Sequence, residues 1–223
     1  MTLVLCGSLG ATAAMWEPQG ELGSGVCFEL PGHGAAPLVD GVSIDSLAAQ
    51  VLERVDGRFS LVGLSLGGAV AMRVAAVARD RVEKLVLACT SMSFGDAQQW
   101  RDRARTVRSA GLEAIVDAVM GRWFSPGYPD VARWRAMFLS VEPEGYARCC
   151  EALAGWEGSG DLRRIEAPTL VIAGRNDPTS PPPHGEEIVS LLRDARLGVI
   201  EDAQHLANVE CAEEFNRLLK EHL

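Results

Sequence analysis

Phe59-Ser-Leu-Val-Gly-Leu-Ser-Leu-Gly-Gly68 decides how the rest of the chain is read. The apolar run Phe59–Val62 predicts a buried strand over about Ser60–Gly63, and the Ala- and Val-rich stretch Leu66–Ala78 predicts a buried helix. Between them stands Gly63-Leu-Ser65-Leu-Gly67, a G-x-S-x-G in the strand–turn–helix slot where that motif has mechanical meaning. So tight a turn forces Ser65 into a strained backbone conformation. It requires glycine on either side, because a Cβ there would strike the neighbouring chain. The turn lifts the serine hydroxyl above the sheet, beside the positive end of the helix. Gly68 extends the close approach.

Working outward, the same rhythm recurs. Leu3–Cys6, Val26–Phe28, Lys84–Ala88, Thr169–Ala173 and Leu197–Ile200 are short, mostly non-alternating apolar runs, as expected of strands buried on both faces of a parallel sheet. Helical patterns separate them at Ser43–Val55 (with Ser43 as N-cap), Glu186–Arg193 and Cys211–Leu223. Alternating strands and helices predict an α/β fold with a mostly parallel sheet. The rhythm breaks between about Ser91 and Gly160, where only helical patterns are found, carrying Trp100, Trp123, Trp134 and Trp156. The expected organisation is therefore a core of residues 1–90 and 161–223, with 91–160 inserted as a helical cap.

The opening stretch, Leu3-Val-Leu-Cys-Gly-Ser-Leu-Gly-Ala-Thr-Ala-Ala-Met-Trp16, could be an export signal or the first core strand and its loop. A signal needs a basic segment before its apolar core, and only Met1 and Thr2 precede this one. The strand reading is preferred, and a cytoplasmic location is expected. The 223 residues carry a net charge of −9, which argues against a nucleic-acid-binding surface. No apolar run reaches the ~18 residues of a membrane span. Cysteines 6, 27, 89, 149, 150 and 211 show neither CxxC pairs nor histidines at ligand spacing, so they are read as reduced, mostly buried side chains.

A serine nucleophile needs a base, and there are four histidines. His205 follows the last predicted strand, in a loop above the carboxyl ends of the strands where Ser65 also lies. His33, in Pro-Gly-His-Gly, is read as a loop-packing residue, His184 as a helix-start residue, and His222 as solvated in the terminal turn. Asp177, just beyond the strand Thr169–Ala173, is the expected orienting carboxylate, and Ser…Asp…His is the chain order this arrangement uses. Asp202 is read as a solvated turn residue. The oxyanion hole needs two backbone N–H groups. Leu66, after the serine, and Leu9, in the loop Gly7-Ser-Leu-Gly10, are the choices.

With these motifs in place the chain resembles the α/β-hydrolase superfamily, and within it the 3-oxoadipate enol-lactonases. Gly7–Gly10 with Met15-Trp-Glu-Pro-Gln19, Gly63–Gly68, Arg122–Pro126, Gly145–Leu153, Asp161-Leu-Arg163 and His205–Glu210 carry the likeness, and Trp123-Phe-Ser-Pro126, Tyr146-Ala-Arg-Cys-Cys150 and His205-Leu-Ala-Asn-Val-Glu210 are the parts more specific to the lactonases. Two features depart from it. Such enzymes usually begin with an antiparallel strand pair, expected here to be absent, and Glu29-Leu-Pro-Gly-His-Gly34 is more similar to the loop of carboxylesterases or of the menaquinone-pathway lyase.

The resemblance implies a serine hydrolase opening a small lactone through an acyl-enzyme, with no cofactor and no metal. Its substrate would be anionic. Arg122, Arg133, Arg135 and Arg148 are candidate carboxylate binders and Trp123 a candidate pocket wall. The cap segment has eight Arg against nine acids, so nearly all the net negative charge lies outside it. The competing readings are a carboxylesterase or thioesterase, a lyase of the menaquinone type, and a non-catalytic small-molecule receptor. A dehalogenase would need Asp where Ser65 stands.

Overall fold

The computed structural model describes residues 2–22 and 25–223. Six strands form one sheet: β1 (Thr2–Cys6), β2 (Val26–Phe28), β3 (Phe59–Leu64), β4 (Val82–Ala88), β5 (Thr169–Gly174) and β6 (Ala195–Ile200). Their order is β2-β1-β3-β4-β5-β6, and all five neighbouring pairs are parallel. β3 and β5 are buried along their whole length, which accounts for their unbroken apolar runs. All the strands but β2 extend one or two residues beyond the runs read from sequence, because backbone pairing continues past the apolar signal. The question of a strand pair before β1 concerns Met1 and lies outside the described residues.

The connecting helices follow their amphipathic patterns. α1 (Ile44–Glu53) starts at Ser43, whose hydroxyl accepts from the Ser46 amide while Ser46 Oγ accepts from the Ser43 amide. α2 (Leu66–Val77) is apolar on nearly every side because it is enclosed between the sheet and what covers it. After β6 come the single turn α9 (Ala207–Glu210) and α10 (Ala212–His222), and after β5 comes α8 (Pro182–Leu191). Among the described residues no helix is long and apolar enough to cross a membrane.

Between β4 and β5 the chain forms α3 (Ala97–Ala110), α4 (Val116–Trp123), α5 (Val131–Leu139), α6 (Pro143–Ala154) and the short α7 (Ser159–Leu162), with no strand. An aromatic chain helps to fill their interior. Trp123 meets Phe138 edge-on at 5.7 Å, and Phe138 meets Tyr146 edge-on at 5.5 Å.

The strand order places the site. The chain leaves β1 for β2 on one side and returns as β3 on the other, so the loops after β1 and β3 diverge at the carboxyl edge of the sheet. Crevices at such a switch point are where open parallel sheets bind ligands. Cys6 pairs with Gly63, and Leu64 with Ala88, so the loops after these strands emerge at one level.

Candidate active site

Ser65 has φ 58° and ψ −118°, a conformation that L-residues rarely adopt. The turn is clamped from several sides. The Ser65 amide donates to Ala88 O at 2.9 Å, Thr90 Oγ1 donates to Ser65 O at 2.7 Å, and the Gly67 amide donates to Gly7 O at 3.1 Å. The glycines are required for contact reasons. A Cβ on Gly63 would stand 2.2 Å from Gly67 O, one on Gly67 2.0 Å from Cys6 O, and one on Gly68 2.5 Å from Thr90 Oγ1. The strain at Ser65 is thus held by β1 and β4 on either side of β3.

His205, in the loop after β6, brings Nε2 to 2.9 Å from Ser65 Oγ and Nδ1 to 2.8 Å from Asp177 Oδ2. Burial pushes the Asp177 carboxyl up, but His205 and the amides of Thr179 and Ser180 outweigh it, leaving its pKa below the usual value. An ionised carboxylate only accepts, so Nδ1 carries the proton and Nε2 is left to accept from the serine hydroxyl. Ser65, Asp177 and His205 are 6%, 2% and 4% exposed, so the array is shielded yet reachable at the serine. Asp202 is exposed, as read from sequence.

The loop after β1 is fixed amide by amide. The Ser8 amide donates to Met15 Sδ, the Gly10 amide to His33 Nε2 at 3.0 Å, and the Ala11 amide to Ser8 O. The Leu9 amide between them, and that of Leu66 at the start of α2, have no acceptor among the described hydrogen bonds. His33 Nδ1 donates to Pro31 O at 3.0 Å, which leaves Nε2 as the acceptor for Gly10. Burial lowers the His33 pKa to about 4, outweighing the opposing pull of the Pro31 carbonyl and Glu29. His33 is therefore a neutral strut under the loop. His222 departs from its expected solvated position, since it is half-buried and its Nε2 donates to Leu85 O at 3.0 Å.

Arg122-Trp-Phe-Ser-Pro126 and His205-Leu-Ala-Asn-Val-Glu210 turn out to hold each other. The His205 amide donates to Arg122 O and the Leu206 amide to Trp123 O. The Glu210 carboxylate closes the clasp, accepting from the Ser125 and Gln204 amides at 2.6 Å each. On its far side α9 is tied down by Asn208, whose Nδ2 donates to Met15 O and Gln19 Oε1.

Above Ser65 lies a small pocket. Leu9, Ser65, His205, Arg122 and Trp123 line it, with Tyr146 and Arg103 among the others. Of the sequence candidates for substrate contact, Arg122 and Trp123 line the pocket. Arg133 and Arg148 do not line it: Arg133 is paired with Glu17, and Arg148 with Asp40 and Glu144 at 2.8 Å each. Arg135 is paired with Asp117. A helical arginine that finds a carboxylate on a neighbouring element turns outward to it, and sequence spacing does not reveal that partner. Arg103 and Tyr146 received no role from the sequence. The only local signal for Arg103 is its position three residues after Trp100, on one helix face.

All six cysteines are free. A family model described as the alpha/beta hydrolase family matches residues 3–218. 3-Oxoadipate enol-lactonase 2 of Acinetobacter baylyi is 33% identical, over 98% of this chain and 86% of that protein. Pimeloyl-[acyl-carrier protein] methyl ester esterase of Nitrosomonas europaea is 30% identical, over 84% of this chain and 80% of the other. Among solved structures, the enol-lactonase from Burkholderia xenovorans superposes with a TM-score of 0.94 at 32% identity, covering 99% of this chain and 90% of that one. The chain belongs to the alpha/beta hydrolase family.

Proposed function

We propose that this protein is a cytoplasmic serine hydrolase that opens 3-oxoadipate enol-lactone to 3-oxoadipate. The observation that carries the reading is the Asp177–His205–Ser65 hydrogen-bonded array at the base of a small pocket whose wall includes Arg122. Ser65 Oγ attacks the lactone carbonyl as its proton passes to His205 Nε2, and Asp177 steadies the imidazolium. The Leu9 and Leu66 amides receive the oxyanion. Collapse of the tetrahedral intermediate breaks the ring C–O bond and expels an enolate, which becomes the ketone on protonation. Water, deprotonated by His205, then attacks the acyl-enzyme and releases the acid and Ser65. The likeness to named enol-lactonases from Acinetobacter and Burkholderia supports the substrate.

The second reading is an esterase acting on another small acyl compound. It is favoured by the loop Glu29-Leu-Pro-Gly-His-Gly34 and by the 30% identity to a methyl ester esterase. Loss of the lactone's ultraviolet absorbance, measured beside hydrolysis of a short p-nitrophenyl ester, separates the two. Lactone turnover by the wild type that disappears in Ser65→Ala supports the lactonase. Ester turnover without lactone turnover rejects it in favour of the esterase.

A further inference from the structure

The eight arginines of residues 91–160 divide sharply by partner. Arg105, Arg108, Arg133, Arg135 and Arg148 each have a carboxylate. Arg101 is exposed. Arg103 and Arg122 have no carboxylate partner among the described residues, and they are the two that line the pocket. Both also line an adjoining outer chamber with about 560 Å³ of empty space. Phe94, Trp100 and Thr179 are likewise shared by the two spaces, so these five residues form the neck between them.

What holds Arg103 leaves its charge intact. Its guanidinium lies over the Trp100 ring, 5.0 Å from the centroid, and it lines the pocket beside the buried Tyr146. Arg122 is the less comfortable of the two: burial, and then the nearby Arg103, lower its pKa. Two neighbouring like charges, partly withdrawn from water and without a carboxylate between them, are unfavourable by themselves. A bound anion removes that cost, and guanidinium groups are suited to carboxylates through paired N–H donors.

We propose that Arg103 and Arg122 form a carboxylate-binding neck, with Arg103 determining specificity for short acyl compounds whose acyl part bears a free carboxylate. The carboxylate rests at the neck while the scissile carbonyl reaches Ser65. This rests on the serine-hydrolase reading of the same pocket. It extends that reading to esters as well as lactones, and to dicarboxylic acids as products whose distal carboxylate stays at the neck.

The test compares mono-p-nitrophenyl glutarate with neutral p-nitrophenyl valerate at low salt, alongside calorimetric binding of glutarate. The wild type is expected to prefer the anionic ester by about 10-fold or more in kcat/KM, with the preference shrinking as salt rises. Arg103→Gln is expected to reduce that ratio by about 10-fold through KM, and Arg103→Lys to restore part of it. Arg105→Gln, on the same helix and outside the pocket, is expected to leave the ratio unchanged. An unchanged ratio in Arg103→Gln, or an equal fall in Arg105→Gln, overturns the proposal. Glutarate binding separates its failure from that of the hydrolase. Binding lost in Arg103→Gln supports the neck even if neither ester turns over. Absence of glutarate binding to the wild type rejects the neck while neutral-ester turnover preserves the hydrolase.

Discussion

At the scale of single residues, the site rests on a division of labour between groups of one kind. Two histidines are buried and neutral in the resting protein's hydrogen-bond pattern, but their neighbours differ. His205 faces a carboxylate and a hydroxyl, and so has somewhere to take a proton from and a charge to balance it. His33 faces a carbonyl and an amide, and can only support them. Asp177→Asn keeps the shape but removes the acceptor that fixes the His205 tautomer. Its kcat is expected to fall by about 10⁴-fold with KM little changed. Steady-state kinetics on whichever substrate is turned over checks this, and a loss below tenfold would reject Asp177 as the orienting group.

At the scale of elements, Ser65, Asp177 and His205 were legible because each follows a strand, and local signals mark strand ends: glycines around Ser65, Asn176-Asp-Pro178 after β5, and the start of α9 after His205. The place of Leu9 beside Ser65 was legible through its glycine-bounded loop. Which arginines line the pocket was legible only for Arg122, because Arg103, Arg133 and Arg148 carry the same helical context in sequence. Only the tertiary positions of Glu17, Asp40 and Glu144 distinguish them. The clasp between Arg122-Trp-Phe-Ser-Pro126 and the His205 loop was likewise invisible, since its two halves are some eighty residues apart. Glu210 closes that clasp without lining the pocket. Glu210→Ala leaves the Ser125 and Gln204 amides without their acceptor, an expected cost of about 1–3 kcal/mol in urea unfolding. It also loosens the segment bearing Arg122 from that bearing His205, with an expected loss of about 10- to 100-fold in kcat/KM. Full stability and full activity in that variant would remove Glu210 from the account.

For the whole molecule, the sheet's switch point and the helical segment above it make one shielded chamber whose stability is linked to pH through His33. Its folded pKa, about 4, lies below the ordinary histidine value of 6.5 that stands for the unfolded chain. The stabilisation is therefore complete above pH 6.5 and lost as pH falls toward 4, because the unfolded chain takes up the proton first. About 2 kcal/mol should disappear between pH 7 and pH 5 from this group. Below pH 4 a protonated Nε2 would point a donor at the Gly10 amide and release the Leu9 loop. Urea unfolding at the two pH values, for wild type and His33→Gln, should show a smaller pH-dependence in the variant. Identical pH-dependence would mean that other groups, the depressed Asp177 among them, carry the effect.

If Ser65 is a nucleophile made reactive by His205, an electrophile that traps activated serines should find it. The most direct measurement is intact-protein and peptide mass spectrometry after exposure to a small fluorophosphonate. The account predicts one adduct per chain, on the peptide containing Ser65, and almost none in a folded His205→Ala variant over the same time. Adduct formation elsewhere, or equal labelling without His205, would contradict it.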